Sequence, residues 1–190
     1  MNLERIHQTF EESGRVKLRF AEDHNKMIAD VAKRWVAALK KGHKLLFFGN
    51  GGSACDATHL AAELVNRFHR DRPALAAISL VTDTAALTSI SNDYDYDSIF
   101  SRQIEALGQK GDVAVAISTS GNSPNVLKGV EAAKARGLLT IAFTGKDGGK
   151  LAPLVDYAFI VPSDSTPRIQ ETHITLGHLL CELAEEELYG

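Results

Sequence analysis

Hydrophobic residues recur at three- and four-residue spacing through the first forty positions of the chain. Leu3, Ile6 and Phe10, and further on Met27, Val31, Trp35 and Leu39, lie on such a stripe, which predicts amphipathic helix over residues 3–41. Gly14 or the Asp23–His24–Asn25 stretch is expected to divide it into two helices, and Gly42 to end it. After residue 43 the pattern changes. Short, near-continuous apolar runs at 44–48, 75–80, 113–117, 138–143 and 157–161 predict strands covered on both faces. Between and after them, residues 53–66, 83–91, 98–107, 124–136 and 167–188 predict helices. Strict alternation of this kind predicts a three-layer α/β/α fold, with a parallel sheet and right-handed crossovers. Ligands in such folds bind at the carboxyl ends of the strands. The 190 residues are expected to form one domain, with 1–42 an N-terminal helical extension and 43–190 the α/β core. That much helix ahead of the first strand exceeds what a minimal α/β unit needs; it either only caps the sheet or, as is favoured, also packs against another subunit.

Composition narrows the classes. Hydrophobic residues make up 44% and charged residues 24%, an ordinary balance for a globular protein. With a net charge of -3 and no basic stripe, no nucleic-acid partner is expected. Residues 1–20 are studded with charge and lack an apolar core of the signal-peptide kind, and no run is long enough for a bilayer, so the cytoplasm is the expected compartment. Cys55 and Cys181 fall far apart in predicted helices, with nothing to mark a disulfide or redox pair.

Two turns carry the candidate chemistry. The first strand stops in Gly49–Asn50–Gly51–Gly52–Ser53, and the third stops in Ser118–Thr119–Ser120–Gly121–Asn122–Ser123. Each opens onto a helix, where free N–H groups and the positive end of the dipole favour an anion. The second turn offers four hydroxyls and no cation. Ser123 is placed to cap the helix and Pro124 to open it. That suits a phosphate monoester held by neutral donors, and two such turns can grip both ends of one phosphorylated molecule. The spacing Gly49-x-Gly51-x-x-Ala54 formally matches a dinucleotide fingerprint, but its acidic partner is misplaced: Asp83 lies some thirty residues on. His59 and Glu63, four apart on a helix, share a face and can share a metal ion or a proton path, or simply be a surface pair. Gln170, Glu171, His173 and His178 lie on the last helix. Asn92–Asp93 precedes Tyr94–Asp95–Tyr96–Asp97, either as a plain Asx turn or as polar contacts to sugar hydroxyls.

Taken together, these segments resemble bacterial phosphoheptose isomerases of the sugar isomerase (SIS) fold. The resemblance is carried by the Gly49–Ser53 turn, Glu63–Leu64–Val65–Asn66–Arg67–Phe68, Arg72–Pro73, Asn92–Asp93–Tyr94, Gly111–Asp112–Val113, the Ser118–Ser123 turn, Phe143–Gly149, and Arg168–Ile169–Gln170–Glu171 with His173. It runs in register over nearly the whole chain. It implies a five-stranded parallel sheet, a homotetramer, and conversion of sedoheptulose 7-phosphate to D-glycero-D-manno-heptose 7-phosphate. It further implies Glu63 as base and His178 as acid, and one zinc ion per subunit held by His59, Glu63, Gln170 and His178. Asn50, Gly51, Gly52, Glu63, Asn92, Asp93, Ser118, Thr119, Ser120, Ser123 and Gln170 are the implied substrate contacts. A non-catalytic branch of the family regulates replication by binding the initiator protein, and departs from the pattern at the first turn, the base and the final histidine. This chain keeps Gly52, Glu63, Ser120 and His178.

One point of geometry follows. Gln170 and His178 are eight residues apart, about 12 Å along a regular helix. Either Gln170 sits in a distorted first turn, or the two ligands come from different chains; the helical N-terminus favours the second.

Overall fold

The computed structural model describes residues 2–190; Met1 lies outside them. Helix α1 runs unbroken from Leu3 to Lys40, so neither expected division occurs. A glycine inside a helix costs only about 1 kcal/mol, and Gly14 sits among good helix formers with open space around it. His24 stays in the helix with its Nδ1 2.9 Å from the Phe20 carbonyl and its ring stacked on Phe20. The Asn2 side chain caps the start by accepting from the Arg5 N–H, and Gly42 ends the segment with φ +77. From Phe20 onward α1 buries Phe20, Ile28, Val31 and Trp35, whereas Leu3 and Phe10 are 77% and 76% exposed.

The strands are β1 (Leu45–Gly49), β2 (Ala77–Ser79), β3 (Val113–Ser118), β4 (Leu139–Gly145) and β5 (Tyr157–Val161). They form one parallel sheet in the order β2-β1-β3-β4-β5. The helices that follow are α2 (Gly52–Val65), α3 (Thr84–Asp93), α4 (Ile99–Leu107), α5 (Pro124–Ala135) and α6 (Thr166–Tyr189). Alternate side chains go to opposite faces. Phe47, Val115, Ile117 and Phe143 join the core under α1, α2 and α6, while Leu46, Phe48, Ala114 and Ala116 join the core under α4 and α5. Strand β2, at one edge, is shorter than the expected 75–80. Leu75 and Leu80 flank it and remain buried. Helix α3 extends to Asp93, so Asn92 and Asp93 form its last turn rather than an Asx turn beyond it.

The strand order changes direction between β1 and β3, and a parallel sheet opens a crevice at such a switch point. The turns after β1 and β3 are therefore neighbours across that crevice. No helix of the described residues is long and apolar enough to cross a membrane. Cys55 is exposed, Cys181 is buried, and neither is bridged.

Candidate active site

The two turns are tied to each other by a pair of amides. Asn50 Nδ2 donates to Asn125 Oδ1 at 2.8 Å, and Asn125 Nδ2 donates to Asn50 Oδ1 at 2.9 Å. Asn125 is 1% exposed, in the first turn of α5. Its oxygen also accepts from the Val126 N–H, and Tyr96 donates its hydroxyl to Asn50 Oδ1 at 3.2 Å. A mutually satisfied amide pair with one buried member sets the spacing, because displacing Asn50 leaves the buried Asn125 amide unpaired. Asn125 was not singled out from sequence. Its only signal was a polar residue just inside a helix that packs on the sheet.

Ser123 occupies the N-cap position of α5 and Pro124 opens the helix, as expected, but the Ser123 hydroxyl makes no capping bond. It lies 3.2 Å from the Ser118 hydroxyl. Thr119 and Ser120 are half-buried in the crevice turn, and the Ser120 hydroxyl accepts from the Asn122 N–H. The turn is braced from behind: Asn122 Oδ1 accepts from the Lys150 N–H, and the Gly121 carbonyl accepts from the Leu151 N–H.

His59 and Glu63 stand one turn apart on α2, with Nε2 and Oε1 separated by 3.1 Å. His178 reaches them from α6, its Nε2 2.8 Å from that of His59. Ligand atoms of all three lie within 4.8 Å of one another. The helices approach closely because position 177 is glycine, where a Cβ would run into Leu60 of α2. Burial pushes the His178 imidazole below its ordinary pKa, and the facing His59 adds to this; Glu63 opposes it. Two imidazole nitrogens and a carboxylate oxygen at this separation are a donor set suited to zinc. Asp56, one turn before His59, has a carboxyl raised to about 6 by burial, with His59 pulling the other way. Its buried Oδ2 has no hydrogen-bond partner. Sequence reasoning missed it, although positions 56, 59 and 63 share one helical face.

Residues 9–145 match the SIS domain family. The chain is 58% identical to the phosphoheptose isomerase of Thermodesulfovibrio yellowstonii, over 98% of its own length and 92% of that relative's. It is 57% identical to the phosphoheptose isomerase of Aquifex aeolicus, covering 97% and 96%. The solved phosphoheptose isomerase of Francisella tularensis superposes with a TM-score of 0.94 at 38% identity, covering 98% and 100%. The chain belongs to the phosphoheptose isomerase family.

The remaining family-implied residues fall in distinct places. Gln170 lies on α6 with its amide against Gly52, where a Cβ would collide with it; the glycine makes room for that contact. Helix α6 is continuous from Thr166, so Gln170 does not sit in a distorted turn. One chain brings together three of the four expected zinc ligands, including both Glu63 and His178. Glu63 and His178 therefore need not come from different chains, whereas the eight-residue spacing of Gln170 and His178 on a regular helix still favours drawing Gln170 from another chain. Asn92 and Asp93 are exposed at the end of α3, bonded to each other at 2.8 Å, with no hydrogen bond to either turn. His173, also on α6, is fully buried with Nε2 3.0 Å from the Thr144 carbonyl. Burial pushes its pKa down to about 4, so it stays neutral and braces the end of β4. The hydroxyl-rich turn after β3 and the His59–Glu63–His178 cluster thus occupy separate elements joined through the sheet and α2.

Proposed function

We propose that the chain is an aldose–ketose isomerase that converts D-sedoheptulose 7-phosphate to D-glycero-D-manno-heptose 7-phosphate, the entry step to heptose precursors of surface glycans. The observation that carries this reading is the convergence of His59, Glu63 and His178 in a chain 58% identical to a phosphoheptose isomerase. Ketose–aldose isomerisation moves a proton between adjacent carbons through an enediol or enediolate. It needs a base over the carbons, a proton donor and acceptor at the oxygens, and firm placement of the substrate. Glu63 takes the first role and carries the proton between the carbons. His178 takes the second: burial holds its imidazole below the ordinary pKa and so favours the neutral form, able to accept a proton at one nitrogen and return it. The Ser118–Ser123 turn, with Asn50, Gly51 and Gly52 across the crevice, holds the phosphosugar, and Gln170, Asn92 and Asp93 add polar contacts. His59, Glu63 and His178, with Gln170, would hold one zinc ion, and zinc bound there would supply Lewis acidity at the carbonyl oxygen.

The protein works in the cytoplasm as a homotetramer. The exposed apolar side chains of Leu3, Ile6, Phe10 and Leu18 on α1 support an assembly that covers them. The direct test adds sedoheptulose 7-phosphate to purified, zinc-replete protein and looks for the aldose product; absence of product would sink the reading.

A further inference from the structure

Glu63 and His178 sit on different helices, and a single buried ion pair joins the parts of the chain that hold them. Helix α2 ends at Val65, two residues after Glu63, leaving carbonyls without helical partners. Arg72 returns to that end. Its Nη2 donates to the carbonyl of Glu63 itself at 2.9 Å, and its Nη1 donates to that of Leu64 at 2.9 Å. The same guanidinium faces Glu185, with Nε 3.6 Å from Oε2 and side chains 1% and 2% exposed. Glu185 lies on α6 two turns beyond His178, on the same face of the helix.

Glu185 also gathers the loop between α2 and Arg72. Its carboxylate accepts from the N–H groups of Phe68 (3.1 Å), His69 (3.1 Å) and Arg70. Burial raises its pKa, but the three N–H groups and Arg72 outweigh burial and hold the carboxyl below its usual range. The loop so gathered presents the Phe68 ring to His178, with centroids 5.5 Å apart and planes 32° from parallel. One carboxylate therefore fixes the end of α2 through Arg72 and the ring beside His178 through Phe68.

We infer that Arg72 and Glu185 are positioning residues, whose pair holds Glu63 and the Phe68 ring in register with His178. Neither touches the reacting atoms. Partners standing behind a metal or catalytic side chain typically change affinity or activity by about 10- to 100-fold when altered. The inference rests on the isomerase reading of the His59–Glu63–His178 cluster.

The test uses the full chain carrying Glu185→Gln, Arg72→Met, or both. Three quantities are read: zinc affinity of the metal-free protein by chelator competition, kcat and KM for sedoheptulose 7-phosphate, and the His178 imidazole proton shifts of metal-free protein. Glu185→Gln should weaken zinc binding by about tenfold and lower kcat by about 10- to 100-fold. KM should stay within about twofold, since the phosphate turn lies on other elements, and the His178 shifts should move as the Phe68 ring departs. The double variant should lose no more than the worse single variant, because the pair acts as a unit. Val130→Ala, in the core on the other sheet face, supplies a loss of melting temperature without these changes. Should Glu185→Gln not fold, Arg72→Lys carries the same test, because it keeps the charge but loses the two-pronged grip on the carbonyls. Wild-type zinc affinity and kcat, or losses equal to those of Val130→Ala at matched melting temperature, overturn the inference. If the wild type neither binds zinc nor turns over the sugar, the isomerase reading fails. The His178 shifts then decide the positioning role alone, and unchanged shifts refute it.

Discussion

The Ser118–Ser123 turn and the His59–Glu63–His178 cluster solve opposite problems. The turn is six consecutive residues that present hydroxyls and N–H groups with no charge, braced by Asn122, Lys150 and Leu151. The cluster is made of titratable groups, half-buried or exposed, drawn from positions 119 residues apart and meeting only where α2 crosses α6. A phosphate already carries its charge and needs many fixed donors, which a short stretch of backbone can supply. Proton transfer needs groups whose charge can change, and such groups need surroundings that tune them. The first kind of site can be written locally. The second depends on packing, down to the glycine at 177 that lets Leu60 of α2 sit against α6.

If the two regions divide the work in this way, their variants should separate kcat from KM. Glu63→Gln should keep the fold and phosphosugar binding while turnover falls at least about 100-fold, the usual scale for a positioned acid–base group. Near-normal turnover would remove Glu63 from the mechanism.

The two histidines of α6 sharpen the contrast between a tuned group and a brace. His173 has a folded pKa of about 4 against 6.5 unfolded. Below pH 6.5 the unfolded chain takes up a proton that the folded protein refuses until about pH 4, so this histidine costs stability as pH falls. Asp56, raised to about 6, has the opposite sign: its cost grows as pH rises from 3.8 to 6. Comparison of wild type with His173→Gln cancels the Asp56 contribution. The wild type should lose about 2–3 kcal/mol relative to the variant between pH 7 and 4.5, read by urea unfolding. A constant difference across that range would mean that the fold leaves the His173 pKa at its unfolded value.

Replacing Ser118, Thr119 and Ser123 together by alanine should raise KM for the phosphosugar about tenfold, with kcat nearly kept, on the scale of a lost bond to a charged group. Melting temperature should change little, since Ser118 and Ser123 pair with each other and both are removed. An unaltered KM would put the phosphate elsewhere.

The smallest effect is a null one. Glu63 and His178 of one chain already meet, so mixed oligomers of Glu63→Gln and His178→Ala subunits should recover no activity. Recovery above the separate variants would show that the working pair is completed between chains.

The layout of the α/β core was readable from residue patterns because each signal is local. Leu45–Phe48 and Val113–Ile117 are apolar throughout, as strands covered on both faces must be. Gly49–Ser53 and Ser118–Ser123 carry their turn chemistry in consecutive residues. The expected break in α1 failed for a reason a local rule does not weigh. One exposed glycine costs a helix about 1 kcal/mol, while the packing of Val31 and Trp35, with Ser13 and Thr9 held by Glu171 and Arg168, favours one rigid element.

By itself, then, the residue pattern determined the alternation of elements, the parallel sheet, the two Gly/Ser-rich turns at the strand ends and the pairing of His59 with Glu63. Periodicity and turn chemistry act over a few residues. Only the tertiary structure decided that Asn125 locks Asn50, that Asp56 keeps a buried oxygen unpaired, and that Glu185 reaches both Arg72 and the loop carrying Phe68. These relations join positions far apart in the chain. Their energies come from exclusion of water and from complementary burial, which exist only once the helices have packed on the sheet.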